Sequence, residues 1–380
     1  MKDKVKVLFF MDGIGNAGGI QEMTIKWMQN IDREKIQIDI LSYNTGKKDN
    51  YAERVEALGG RVFLIDTYMR RGKLLTSLRQ TKEFFANHHY DILHAHSSSK
   101  AVFIMWYAKK YGIKTRILHS HCTQFVVQGK ISLICAELLK IPTLALTTDY
   151  YACSPEAGEF LFGKRAVQKG LVTIAHNGIE TSKFIKNDEI RENMRAKLKV
   201  DNLFVIGNVG RFSPQKNHSY LIDIFKAVCE KCDEAVLVCV GNGKLEKEIQ
   251  EKAKKLGVFD RILFLGFRKD VSDVMQAFDV LVMPSLFEGL PVTGVEAQAV
   301  GIPALFATTI TKDAAILPKS DYMSLMESPE KWAEKILQYK DQIRISDPHK
   351  YIVDRGYDIK IETKKIEEFY MSKLINRRDR

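Results

Sequence analysis

The chain has 380 residues, 45% of them apolar, and a net charge of +11. That length exceeds one ordinary core and predicts two domains, while no apolar run approaches the ~18 residues of a membrane-spanning helix. Six scattered cysteines make no disulfide framework, which fits a reducing cytoplasm, and the apolar stretch behind the charged opening MKDK is too short for a signal peptide. The basic balance suits nucleic acid, anionic lipid or phosphorylated metabolites, or serves solubility alone.

Short apolar runs alternate with helical patterns from end to end. The first series is VKVLFF, IQIDIL, RVFLI, YDILHA, TRILH, YYACS and LVTIA. Their continuous apolar character predicts strands buried on both faces of a parallel sheet. The spacing predicts a helix from Leu74 to Ala86, with Leu74, Leu75, Leu78 and Phe85 facing inward. A charged, strand-poor stretch over 184–202 precedes a second series: LFVIGNVG, AVLVCVG, RILFLG, DVLVMPS and IPALFA. The expectation is an α/β fold of two Rossmann-like, doubly wound parallel-sheet domains, residues 1–185 and 186–355. An amphipathic basic helix over 356–380 is expected to return to the first domain.

Residues 13–18, GIGNAG, form a literal G-x-G-x-x-G ahead of a helix beginning near Ile20. A dinucleotide site wants an acid at the end of the second strand. Tyr43 and Asn44 stand there instead, and Asp39 comes too early. Gly18 and Gly19 still allow close approach of a phosphate to free helix N–H groups; a plain structural turn is the alternative.

The segment GNVGRFSPQKNHSYLI puts Arg211 and Lys216 in the loop beyond a strand's carboxyl end, the edge where open α/β sheets bind ligands. Two cations there can bracket a diphosphate, unless they belong to a solvated basic turn. Asn217 is expected to cap the following helix. In MPSLFEGLPVTGVEAQAVGIP a strand ends at Met283 and a helix begins near Pro291. Glu288 can accept from a ligand hydroxyl and Glu296 can reach a ribose. The N–H groups of Gly289, Leu290, Val292 and Thr293 can meet an anion. The turn at Gly266, Phe267 and Arg268 can show its main chain to a base edge.

The set GGIQE, HSH, VGRFSPQKN, FLGFRKDV and FEGLPVTGVEAQAVGIP resembles the retaining nucleotide-sugar glycosyltransferases of family four, which have the GT-B fold. The resemblance spans nearly the whole chain. It looks closest to the bacterial branch that assembles capsular and exopolysaccharide repeat units. It implies a hexosyltransferase whose co-substrate is a nucleotide sugar, a UDP-sugar, bound in the cleft between the domains, with no metal or other cofactor. The implied acceptor is a saccharide on a polyprenyl diphosphate at the inner membrane face. By the same resemblance Arg211 and Lys216 neutralise the donor diphosphate, Glu288 contacts sugar hydroxyls and Glu296 the ribose. The backbone at Phe267 and Arg268 reads the base, and Gly18 and Gly19 close over the phosphates. The family also places a histidine after the fifth strand. His121 matches that place, with His119 two residues earlier on the same face. Cys122 and Gly294 depart from the family's usual residues. In DTYMRRGK, Arg70, Arg71 and Lys73, together with residues 100–114, are candidates for an anionic lipid surface or a lipid diphosphate.

Rival readings stand beside this one. The pairs His94/His96 and His119/His121 could ligate zinc in a metallohydrolase, though no acidic cluster accompanies them. Cys229 and Cys232 read as core or surface thiols. No aromatic-interleaved basic motif supports nucleic-acid binding. A sugar-nucleotide epimerase of the same fold is the nearer rival.

Overall fold

The computed structural model describes residues 4–14, 19–46, 50–69, 72–125, 129–288 and 290–378, with side chains to 374. The first sheet holds β1 (Val5–Met11), β2 (Ile36–Tyr43), β3 (Val62–Ile65), β4 (Ile92–His96), β5 (Thr115–Ser120), β6 (Asp149–Ala152) and β7 (Val172–Ile174). The second holds β8 (Phe204–Val209), β9 (Ala235–Val240), β10 (Ile262–Phe264), β11 (Val280–Met283), β12 (Ala304–Ala307) and β13 (Asp321–Met323). The orders are β3-β2-β1-β4-β5-β6-β7 and β10-β9-β8-β11-β12-β13, and each pairing between neighbours is parallel. Every apolar run named above forms a strand. β13 escapes that reading because Asp-Tyr-Met is short, half-buried and carries no apolar run.

Two compact units result: residues 1–178 with 359–380, and residues 179–358. The divisions therefore fall at 178/179 and 358/359 rather than at 185/186 and 355/356. Backbone contacts explain the shift. Ile179 is fully buried, donates its N–H to the Tyr357 carbonyl at 2.8 Å and bridges Asp358. Thr181 donates its hydroxyl to the Asp358 carboxylate. These bonds tie both crossing segments into the second unit. The helix Ile359–Arg378 lies in the first unit, against the helix Gly19–Asn30 and β1.

Alternation along β1 builds two apolar layers, as a strand covered on both faces requires. Val7 and Phe9 pack with Met23, Trp27, Ile366 and Tyr370. Leu8 and Phe10 pack on the opposite face with Phe84, Phe85, Ile104 and Met105. The predicted inner face of the Leu74–Asn87 helix is rotated. Ser77, Thr81, Phe84 and Phe85 are buried, whereas Leu74 and Leu75 are exposed. Two adjacent phenylalanines bury more area than two leucines at a helix start and set the rotation.

One glycine governs the edge that carries Arg211. Gly241 follows β9 at φ +135°, and a Cβ there would lie 2.1 Å from the Gly210 carbonyl oxygen. Gly210 in turn donates to the Val240 carbonyl at 2.9 Å. We expect Gly241→Ala to strain this crossing by about 1–3 kcal/mol, read as a lower denaturant midpoint; an unchanged midpoint would show the crossing to be slack.

Candidate functional site

Strand order reverses between β1 and β4 in one sheet and between β8 and β11 in the other. The loops leaving such a pair turn to opposite faces, and the crevice they open at the carboxyl ends is where open α/β sheets take ligands. Arg211 and Lys216 follow β8, and Glu288 follows β11. Asp12 follows β1, and Ser97 follows β4.

In the second unit, side-chain and main-chain bonds fasten the two loops together. Leu286 donates its N–H to the Gln215 carbonyl at 2.8 Å, and Gln215 donates its side-chain amide to the Phe287 carbonyl at 3.0 Å. Asn217 donates its amide to the Pro284 carbonyl at 3.1 Å. That bond corrects the expected cap. Asn217 adopts the left-handed conformation (φ 55°) with no side-chain capping bond, and its amide serves the neighbouring loop instead. Across this seam Lys216 Nζ sits 2.6 Å from Glu288 Oε1, an ion pair whose angle lies outside hydrogen-bond geometry. Both side chains are largely buried. A Cβ on Gly210 would touch the Lys216 stem, so the missing side chain leaves that stem its lane. Beneath the loop Phe212 stacks on His218 at 4.1 Å. Burial and then the Lys216 charge push His218 down to about 4.

Arg211 is exposed on the same loop, with no hydrogen-bond or ion-pair partner among the described residues. Gly289 lies outside the described residues, while Leu290 is half-buried beside the helix Val292–Ala299. Val292 and Thr293 open that helix, and Glu296 is half-buried one turn further on. Gly294 is explained by volume. A Cβ there would lie 2.7 Å from the Phe306 ring, so phenylalanine on β12 fills the space a larger residue would take. Phe267 is exposed, and the Arg268 guanidinium is committed to Asp270 at 2.8 and 2.5 Å. The main chain of that turn, rather than the Arg268 side chain, is what remains available.

The first unit contains a cavity of about 280 Å³ at the ends of β1, β4 and β5, lined among others by Asp12, His96, Ser97, Lys100, His121 and Phe125. Gly19 and Ile20 border it; Gly18 lies outside the described residues. Of the two candidate histidines, His121 lines this cavity, and His119 is fully buried. Sequence alone does not mark Asp12, because one acid after a strand reads as any solvated turn. Ser97 donates its hydroxyl to Asp12, and Lys100 Nζ stands 3.8 Å away. A third of the Asp12 side chain stays open, yet burial raises its pKa against the pull of Lys100 and Ser97. Arg70 and Arg71 lie outside the described residues, and Lys73 is paired with Asp66 at 3.1 Å.

Four imidazoles stack under the cavity. His94 Nδ1 meets the Tyr370 hydroxyl at 2.5 Å, His94 Nε2 meets His119 Nδ1 at 3.0 Å, and His96 Nδ1 meets His121 Nε2 at 3.0 Å. One nitrogen from each of His94, His96 and His119 falls within 4.8 Å of the others. The His94 ring lies 16° from that of His96 and 17° from that of His119, while His96 and His119 are tilted by 33°. Burial holds all four well below the ordinary histidine range, His121 at about 3. They form a neutral hydrogen-bonded stack. Cys229 and Cys232 are buried free thiols of the second core.

Two doubly wound parallel sheets, each with ligand-type loops at its switch point, are the architecture of the GT-B fold. Residues 17–183 match the Glycosyltransferase Family 4 model, and residues 189–344 match Glycosyl transferases group 1. A Bacillus subtilis protein named as the glycosyltransferase EpsF is 34% identical over 339 residues, covering 87% of this chain and 86% of that one. The chain belongs to this glycosyltransferase family. An Escherichia coli relative, UDP-Gal:alpha-D-GlcNAc-diphosphoundecaprenol alpha-1,3-galactosyltransferase, is 23% identical over 375 residues, 94% of this chain and 95% of its own. Anabaena HepE, solved with UDP, superposes with a TM-score of 0.78 at 19% identity, over 97% of this chain and all of that one.

The imidazole stack makes acid stability a direct readout. The folded histidines stay neutral, while the unfolded ones protonate near the ordinary value of 6.5. Below pH 6.5 the unfolded state binds more protons, so stability falls as pH drops from there towards the folded values. The urea midpoint should be flat above about pH 7 and decline steadily below 6.5. A midpoint unchanged from pH 7 to pH 5 would mean that the stack is not neutral in the fold.

Proposed function

We propose that the protein moves a hexosyl unit from a nucleotide sugar, a UDP-sugar, to a saccharide carried on a polyprenyl diphosphate, in polysaccharide assembly at the membrane surface. The observation that carries this reading is the seam between the β8 and β11 loops, where Lys216 and Glu288 stand 2.6 Å apart and Arg211 is exposed on the loop that carries Lys216. UDP-glucose bound to Anabaena HepE supports the donor class, and the lipid diphosphate in the Escherichia coli relative's name supports the acceptor class.

In this reading the bond from the anomeric carbon to the diphosphate oxygen breaks and the acceptor oxygen bonds to that carbon. The acceptor's proton leaves with the diphosphate. The transition state is oxocarbenium-like, and negative charge builds on the departing oxygens. Arg211 and Lys216 stabilise that charge more than they stabilise bound donor, and supply the positive charge that other diphosphate sites draw from a metal ion. Glu288 accepts from a sugar hydroxyl and Glu296 from the ribose. The N–H groups of Val292 and Thr293, with those at Gly289 and Leu290, meet phosphate oxygens. The main chain at Phe267 and Arg268 faces the base. Gly18, Gly19 and His121 of the first unit are candidate donor contacts by the family resemblance alone. Attack and departure on one face of the sugar give retention without a protein nucleophile. Asp12 takes the acceptor hydroxyl, since its raised pKa and its Ser97 partner suit a group that shares a proton.

Lys216→Ala should lower kcat about a hundredfold, the usual cost of losing one charge-stabilising donor, with the circular dichroism spectrum intact; unchanged turnover would remove Lys216 from this role. Asp12→Asn should lower transfer to acceptor while slow hydrolysis of the donor persists. Equal loss of both reactions would place Asp12 on the donor instead. Conversion of the donor sugar with no acceptor present would turn the assignment to an epimerase.

A further inference from the structure

The helix Lys130–Leu146 wears its apolar residues on the wrong side. Ile131, Ile134, Leu138 and Ile141 recur at the spacing of one helical stripe and are 80, 59, 63 and 70% exposed. Ala136 and Thr143, half a turn round, are the residues this helix buries. A surface helix of an ordinary domain shows the reverse, with polar residues outward. Contiguous apolar surface of this kind marks a binding face.

The surroundings say what covers it. Residues 100–146 hold six lysines and one arginine against a single acid, Glu137. The helix packs against Val102–Lys110, where Trp106 is exposed with Lys110 Nζ 5.1 Å above its ring. An outward apolar stripe, an exposed tryptophan and flanking lysines form the pattern of a helix lying in the plane of an anionic bilayer. No helix among the described residues is long and apolar enough to cross a membrane, so the contact is with the surface.

We infer that the Ile131–Ile141 stripe of this helix, with the basic residues around it, docks the protein on an anionic lipid bilayer. Its use in catalysis rests on the lipid-linked acceptor proposed above, because the helix adjoins the cavity of Asp12 and His121. It follows the loop whose Gln124 and Phe125 line that cavity, and Lys140 donates to the carbonyl of cavity residue Phe160 at 2.8 Å. A bilayer against the stripe therefore lies on a helix that is bonded to a residue of the cavity wall. The expected patch at Arg70, Arg71 and Lys73 is not needed for this docking.

The test is sedimentation of the full-length protein with vesicles of phosphatidylcholine containing phosphatidylglycerol, and with phosphatidylcholine alone, run beside light scattering of the protein without lipid. The wild type should sediment with the anionic vesicles, less so at high salt, and Ile134→Glu/Leu138→Glu should bind at least about tenfold more weakly. Both positions are more than half exposed, so the double variant should melt with the wild type. Unchanged vesicle binding by the variant would overturn the inference. So would a wild-type dimer that the same variant dissociates, since a second copy would then cover the stripe. The readout uses no donor or acceptor, so a failure of the transferase reading leaves it standing.

Discussion

The second unit turns on one ion pair held by a seam. Lys216 and Glu288 come from loops that follow different strands, 72 residues apart in sequence, and two long side chains do not stay in contact across open loops without support. Support comes from Gln215 and Asn217, whose bonds to residues 284–287 bring the loops into register before any charge is considered. The pair is then largely shielded from water, where one charge without the other would be costly. Removing either partner therefore leaves an isolated buried charge, and a ligand that draws Lys216 away must offer negative charge in return. A diphosphate meets that condition, and the proposed donor site rests on it.

The first unit depends on a different constraint. Its cavity floor is a column of neutral imidazoles, and the column is anchored at its far end by Tyr370, which comes from the C-terminal helix. That helix passes back from the second unit to cover β1 and the helix Gly19–Asn30. Folding of the helix Ile359–Arg378 is thus coupled to the orientation of His94 and His119, and His96 orients His121 by its own bond. His121 presents a fixed ring to the cavity because three histidines it does not resemble in exposure stand behind it.

Much of this was legible in the amino-acid order. Strands buried on both faces must be apolar throughout, so twelve of the thirteen could be read as runs, and the loops that follow β8 and β11 declared themselves by glycine, charge and a helix start. What could not be read depends on which side of an element meets its neighbour. The Leu74–Asn87 helix turned towards Phe84 and Phe85 instead of its leucines. The Ile131–Ile141 stripe has the spacing of a buried face and is outward. Gly294 makes sense only beside Phe306, and Asp12 only beside Ser97 and Lys100, partners that sequence spacing does not reveal. Asn217 sits where a cap belongs and spends its amide on Pro284.

The most direct measurement is hydrogen–deuterium exchange of the whole protein with and without UDP. Binding of the diphosphate by the β8 and β11 loops predicts slowed exchange over residues 210–217 and 285–296. Exchange unchanged in both segments at saturating nucleotide would contradict the donor site proposed for this transferase.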